Sequence, residues 1–302
     1  MANNLDAFIP ELWTDNLIQN IDQVNVALSF VNRTYQDQLL RAGDTVHVQT
    51  LDNIIVGDYE RYQTISTQRP VPKDETLVVD KADYFSVDFD NLDDAQTMLS
   101  ASPLYIRRGA VAMSNRIDSF IFDAYSQAWS ANNISNGGSA IDISPNTATT
   151  AVYELLVDAN KRLTEQNVDR AGRWIVVTPY VESLLLKSTT YFIRSSELGD
   201  SLVTNGRFPG GMAATGVPGF IGRIAGFDVY TSNNLPKSGS NYYLIYGQDS
   251  PISYVAQIAP GNAKIHDLEN TFGYRVKALM LHGKKVFSED SKRLGTILVD
   301  NA

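Results

Sequence analysis

The spacing of apolar residues changes rhythm along the chain, and each change predicts a different element. Val46-His47-Val48-Gln49 alternates with period two, as does Ser86-Val87-Asp88-Phe89. Alternation of this kind marks half-buried strands, so residues 45–90 read as one long β-hairpin with the second run as its return. Between the two runs lie Asp58-Tyr59-Glu60-Arg61-Tyr62 and Arg69-Pro70-Val71-Pro72-Lys73-Asp74, polar and rich in Thr and Tyr with few large aliphatic residues. A two-stranded ribbon of that makeup buries little of itself and must lie on something else. From Leu92 to Ala131 the step becomes three or four residues: Ile106, Ala110, Met113, Ile117, Phe120 or Ile121, Ala124 and Ala128. That is the stripe of an amphipathic helix, with Ser102 as its expected N-cap and Pro103 in its first turn. Taken as one helix, 104–130 would be a strut about 40 Å long at 1.5 Å per residue.

The remaining segments are shorter. Residues 1–41 read as an arm with short helical pieces, anchored by apolar residues, and Ala42-Gly43-Asp44 is a turn. Residues 132–139, with Gly137-Gly138, read as a linker and the best internal boundary. A helix carrying Val152, Leu155, Leu156, Ala159 and Leu163 follows. Arg173-Trp174-Ile175-Val176-Val177 reads as a buried strand, and Thr178-Pro179 as the N-cap and first position of a short helix. The order helix–strand–helix implies a mixed layer of helices and sheet. Residues 188–222 are glycine-rich and loop-like. Strands resume at 227–230, 242–246, 252–256, 273–281 and 296–299.

Composition narrows what such elements can serve. The chain has 302 residues, no cysteine and a formal net charge of −9. Disulfides, thiol nucleophiles and Cys-ligated metals are excluded, and an acidic balance argues against a reader of nucleic acid. The charge is uneven. Residues 1–60 hold nine acids and two bases, whereas residues 261–302 hold seven bases and five acids. Solvated surfaces would explain this, and so would an acidic segment meeting a more basic face of another copy. Met1 to Asp15 has no Lys or Arg and does not resemble a targeting signal. No stretch has the roughly 18 uninterrupted apolar residues of a membrane span.

Catalytic chemistry finds little support. The glycine-rich stretch lacks the GK[ST] ending and flanking elements of a phosphate cradle. His47, His266 and His282 have no metal-ligand spacing and read as strand or loop surface residues. No GxSxG is present, and the paired carboxylates Asp93-Asp94 and Glu289-Asp290 read as solvated neighbours. No cofactor is expected, and an enzyme is disfavoured because no nucleophile, base and orienting group can be assembled.

The order of these elements resembles the major capsid proteins of tailed bacteriophages with the Hong Kong 97-like fold, over nearly the whole chain. Phe8-Ile9-Pro10-Glu11-Leu12-Trp13 is similar to the start of their N-terminal arm. Ala42-Gly43-Asp44-Thr45-Val46 is similar to the beginning of their extended loop. Tyr84-Phe85-Ser86-Val87-Asp88-Phe89-Asp90 followed by Leu92-Asp93-Asp94-Ala95-Gln96 is similar to its return into the spine helix. Arg173-Trp174-Ile175-Val176-Val177-Thr178-Pro179 and the run from Gly226 to Pro236 are similar to parts of the axial domain. The resemblance implies an α+β chain with an N-terminal arm (1–44), an extended hairpin (45–90), a peripheral domain (91–133 and 263–302) and an axial domain (134–262). It implies self-assembly into hexamers and pentamers of an icosahedral shell around double-stranded DNA, in a virion assembled in the host cytoplasm.

The implied partners are copies of the same chain, a separate scaffolding protein (or one removed before Met1), a portal, a possible decoration protein, and DNA held without sequence-specific contact. No membrane is implied. The expected inter-subunit residues are Phe8 and Trp13 on the arm, Arg61, Arg69, Lys73 and Asp74 on the hairpin, and Arg107, Arg108 and Arg116 on the spine helix. Some relatives cross-link a hairpin lysine to an asparagine, but Lys73 and Lys81 read here as solvated or ion-paired. Two alternatives remain: an encapsulin-like compartment shell of the same fold, and a monomeric α/β enzyme or carbohydrate-binding protein.

Overall fold

In the computed structural model, residues 26–36, 45–50, 54–65, 67–90, 101–143, 148–187, 219–258, 264–269 and 271–300 are described. Their elements are β1 (Val31–Asn32), β2 (Thr45–Thr50), β3 (Lys73–Val78), β4 (Lys81–Asp90), α1 (Ala101–Phe122), β5 (Asn133–Ile134), β6 (Ile141–Asp142), α2 (Ala148–Glu165), β7 (Arg173–Val177) and α3 (Pro179–Lys187). There follow β8 (Phe220–Ile224), β9 (Phe227–Thr231), β10 (Lys237–Ser238), β11 (Asn241–Gln248), β12 (Ile252–Ile258), β13 (Lys264–Asp267), β14 (Gly273–Lys285), α4 (Ser288–Ser291) and β15 (Leu294–Asp300).

These strands form an eight-stranded sheet, a five-stranded sheet and a separate two-stranded ribbon. The larger sheet runs β5-β15-β11-β7-β9-β8, with β6 and β10 at its margins. Its β7, buried at all five positions, lies between antiparallel β11 and parallel β9. A strand covered on both faces reads as a continuous apolar run, which is what Trp174-Ile175-Val176-Val177 supplies. Thr178 caps α3 as its sequence predicts, its hydroxyl accepting the Val181 N–H at 3.4 Å. The predicted stripe of α2 holds too: Val152, Leu156, Ala159 and Leu163 are all buried.

In the smaller sheet β14 is the central strand. It pairs with β4 from Gly273↔Asp90 to His282↔Lys81, and with β12 and β13 along its other edge. Helix α1 packs on β4 closely enough that a Cβ at Gly109 would overlap the Phe85 ring. One continuous core joins both sheets, from Met113, Ile117 and Ile121 of α1 to Ile245 and Tyr246 of β11 and Ile297 of β15.

Four expectations are corrected. The partner of β2 is β3, in register from Thr45↔Val78 to Thr50↔Lys73, whereas 86–89 pairs with β14. The ribbon therefore closes at Val78, and the second alternating run belongs to the body. Both runs carry the same period, and period alone does not choose a partner.

The strut helix ends at Phe122 instead of Ser130, and Ser102 lies inside it. It is followed by a 3₁₀ turn over Asp123–Gln127, in which Ala124 of the stripe is still buried. The Phe120 carbonyl, which a longer helix would bond internally, accepts the Lys284 ammonium instead.

The supposed linker at 132–139 is partly built into the body. Buried Asn132 donates to the carbonyls of Lys292 (2.7 Å) and Leu294 (3.1 Å), and β5 joins the larger sheet beside β15. The two sheets interleave along the chain: β12 lies in the five-stranded sheet and β15 in the eight-stranded one. Finally, the loop expected to run to residue 222 gives way to strand β8 at Phe220, where β8 gains the antiparallel partner β9.

Candidate inter-subunit surface

The ribbon has a root and a free portion. At the root, Val46 and Leu77 face inward and close a small core with Val255 and Phe287, with Tyr35, Val48 and Val79 packed around it. Tyr35 meets the Phe287 ring edge-on at 5.7 Å. Beyond Thr50 and Lys73 the described residues are exposed, apolar ones included: Ile54, Ile55, Val56 (92% exposed), Tyr59, Tyr62, Ile65 and Val71. This local structure is turned by side chains more than by packing. The Gln68 amide pairs with both backbone groups of Ile55, at 3.0 and 2.6 Å. Tyr62 takes a positive φ of 70° in the 61–62 turn. Contiguous exposed apolar surface on a soluble chain marks an interaction site.

The expected residues distribute as follows. Arg61, Arg69, Lys73 and Asp74 all lie on the ribbon and are exposed. The Arg61 guanidinium sits 5.3 Å from the Tyr62 ring centre. Asp74 is engaged across the ribbon by His47 Nδ1 at 2.8 Å. Arg108 and Arg116 are exposed on α1, and Arg116 Nε approaches the Asp83 carboxylate of the same chain at 3.5 Å. Arg107 lies on α1, with its side chain outside the described residues. Phe8 and Trp13 also lie outside them.

Sequence reasoning missed the groups that fix the body behind this surface. His282, expected at the surface, is fully buried. It bridges Tyr254 Oη (3.2 Å) and Asp83 Oδ2 (3.1 Å) and lies 4.3 Å from the Phe120 ring. Burial pushes the His282 pKa down, against the opposing pull of Asp83. Asp118, also fully buried, accepts the Val26 N–H at 3.0 Å. Desolvation raises its carboxyl to about 6. Lys284 packs over the Phe120 ring at 4.4 Å, and desolvation lowers its ammonium to about 8. None of these was legible, because each depends on partners between 28 and 199 positions away.

The described residues hold no group of three His, Asp or Glu side chains placed to bind a metal. No described helix is long and apolar enough to cross a membrane. What the arrangement offers is a two-sheet body with one shared core and a ribbon that exposes apolar side chains.

Solved structures share this architecture. That of Mycobacterium phage Che8 is 25% identical, with a TM-score of 0.75 and 98% of each chain covered. The capsid of the cyanophage P-SCSP1u is 14% identical, with a TM-score of 0.66 over 100% of this chain and 96% of that one. A holo-SrpI encapsulin complex from Synechococcus elongatus is more distant, 12% identical with a TM-score of 0.52, over 85% of this chain and 82% of that one. The fold is thus the Hong Kong 97-like capsid fold. A search of curated proteins found no match. A family model described as phage capsid protein matches residues 74–289, and the chain belongs to that family. It is a structural major capsid protein of a virion, working by association with its own copies.

Proposed function

We propose that the chain builds hexamers and pentamers of a closed icosahedral shell around double-stranded DNA, assembled in the host cytoplasm. The observation that carries this reading is the uncovered apolar surface of the ribbon beyond Thr50 and Lys73. A neighbouring subunit would bury it, and many such modest contacts sum to a stable container. In this scheme α1 and the five-stranded sheet form the peripheral domain, and the eight-stranded sheet with α2 and α3 forms the axial domain. The arm residues Phe8 and Trp13, the ribbon charges Arg61, Arg69, Lys73 and Asp74, and the helix residues Arg107, Arg108 and Arg116 contribute to contacts between copies. A scaffolding protein, a portal and a decoration protein are the further partners.

The net charge of −9 supports a lining that does not adhere to packaged DNA, since tight binding requires Lys and Arg to neutralise phosphates. Electron microscopy of the purified chain at high concentration, with sedimentation, tests the shell; a monomer-sized species and no particles would sink it. Arg69→Glu is expected to reduce particle yield while leaving the subunit folded. Normal yield would remove Arg69 from the interface. The encapsulin likeness favours a second reading, a compartment filled with protein, and nuclease-resistant DNA inside native particles decides against it.

A further inference from the structure

We propose that Glu75 is the positioning residue that sets the direction in which the ribbon leaves the body; the consequence for assembly rests on the shell reading above. The ribbon's inward face on β3 consists of Leu77 and, two residues further out, Glu75. Leu77 is fully buried in the root core. The Glu75 carboxylate reaches the start of α4, where its two oxygens accept the Ser288 N–H at 3.2 and 3.0 Å. The Ser288 hydroxyl donates to the same carboxylate. Phe287, one residue earlier, belongs to the root core, so the apolar and polar contacts are consecutive on the body as well.

A ribbon anchored only at its root core can pivot about that root; a further contact about 7 Å outward constrains its pitch, at roughly 3.4 Å per residue. The first-turn N–H of a helix has no internal partner, so it is a free donor that the carboxylate satisfies with a charge-assisted bond. The leverage is large. Over a six-residue strand of about 20 Å, a 10° pivot displaces the far end by about 3.5 Å, enough to take the Ile54–Val56 surface out of register with a neighbour. The side chain that stands between a fixed and a swinging ribbon is therefore a carboxylate far from the apolar surface it aims.

The test uses the full chain, which has no cysteine, with Thr64→Cys and Lys161→Cys as spin-label sites on the ribbon and on α2. Glu75→Met keeps the stem and removes the acceptor; Glu75→Gln keeps an acceptor. Ser288→Pro removes the donor from the other side. Phe287 has φ −72° and ψ 157°, which a following proline accepts, and the first helical position tolerates proline. In unassembled subunits, the Met and Pro variants are expected to broaden the label–label distance distribution at least twofold, and Glu75→Gln to leave it narrow. Particle yield should fall at least tenfold for Met and Pro, with Gln near wild type. Unchanged distributions in Met and Pro overturn the proposal even if shells form normally. If Glu75→Met fails to fold, Ser288→Pro alone decides. Broadened distributions in a wild-type background that never forms particles would sustain the positioning role and sink the shell reading instead.

Discussion

The eight-stranded sheet and the ribbon are both antiparallel-rich β-structure, yet they solve the burial problem in opposite ways. Strand β7 has neighbours on both edges and helices α2 and α3 packed nearby, and its five residues are all buried. Its polar handles are satisfied inside the chain: the Arg173 guanidinium donates to the carbonyls of Asp169 (2.8 Å) and Asn160 (3.0 Å). The Trp174 indole donates to the Asp249 carbonyl at 2.7 Å. The ribbon has a single strand pair, four buried residues at its root including their partners on the body, and apolar side chains left in water beyond it. Among the described residues, β7 finds its partners within the chain. The ribbon leaves apolar side chains exposed, and in the proposed shell a neighbouring copy covers them.

Mutations should therefore separate stability from assembly. The largest effect on stability is expected in the body. Phe30, 5% exposed, stacks on Trp174 at 4.1 Å and meets Tyr230 edge-on at 4.9 Å. Phe30→Ala should cost about 3–5 kcal/mol, read as a lowered denaturant midpoint of the free subunit. A loss under about 1 kcal/mol would mean that residues 26–32 are an appendage to the body and not part of its core.

The ribbon should behave in the converse way. Ile55→Asp places a charge on a side chain already in water, so the unfolding free energy of the subunit should move by no more than about 0.5 kcal/mol. Particle formation at the same concentration should be lost, because that charge would have to be desolvated at the contact. If both subunit stability and yield stay at wild-type values, the apolar surface of the ribbon is not the one that neighbours cover.

This division also explains how much could be read from sequence. Elements defined by their own periodicity came through: the buried strand 173–177, the α2 stripe, the Thr178 cap and the late strands all stand near their expected bounds. What failed was choice of partner. The runs at 46–49 and 86–89 look alike, and only the register of β14 against β4 shows that the second belongs to the body. At the candidate surface, the charged residues Arg61, Arg69, Lys73 and Asp74, expected at contacts between copies, are exposed on the ribbon. Its exposed apolar side chains, Ile54, Ile55 and Val56 among them, did not stand out in a stretch that reads as polar and rich in Thr and Tyr. Glu75 and Asp118 had no local signal at all, as each gains its role from a backbone N–H more than 90 positions away.

Asp118 offers the finest test of the comparison, because it asks whether the body's self-sufficiency carries a cost. This carboxylate holds the Val26 N–H inside the core, and desolvation raises its pKa from 3.8 to about 6. A raised folded pKa means that the native state binds the proton more tightly than the unfolded chain. The associated stability is full below about pH 3.8 and is lost as pH rises through about 6. Asp118→Asn cannot titrate, while His282 and every other group stay common to both proteins and cancel in the difference. Wild-type stability relative to Asp118→Asn should therefore fall between pH 4 and 6, by at most about 1.4 kcal/mol per pH unit, and level off above. Chemical denaturation of unassembled subunits at four or five pH values measures it. A difference that rises over this range would mean the carboxylate gains more from its backbone donors than it loses to burial, and the arm junction would then be a stabilising ionic contact.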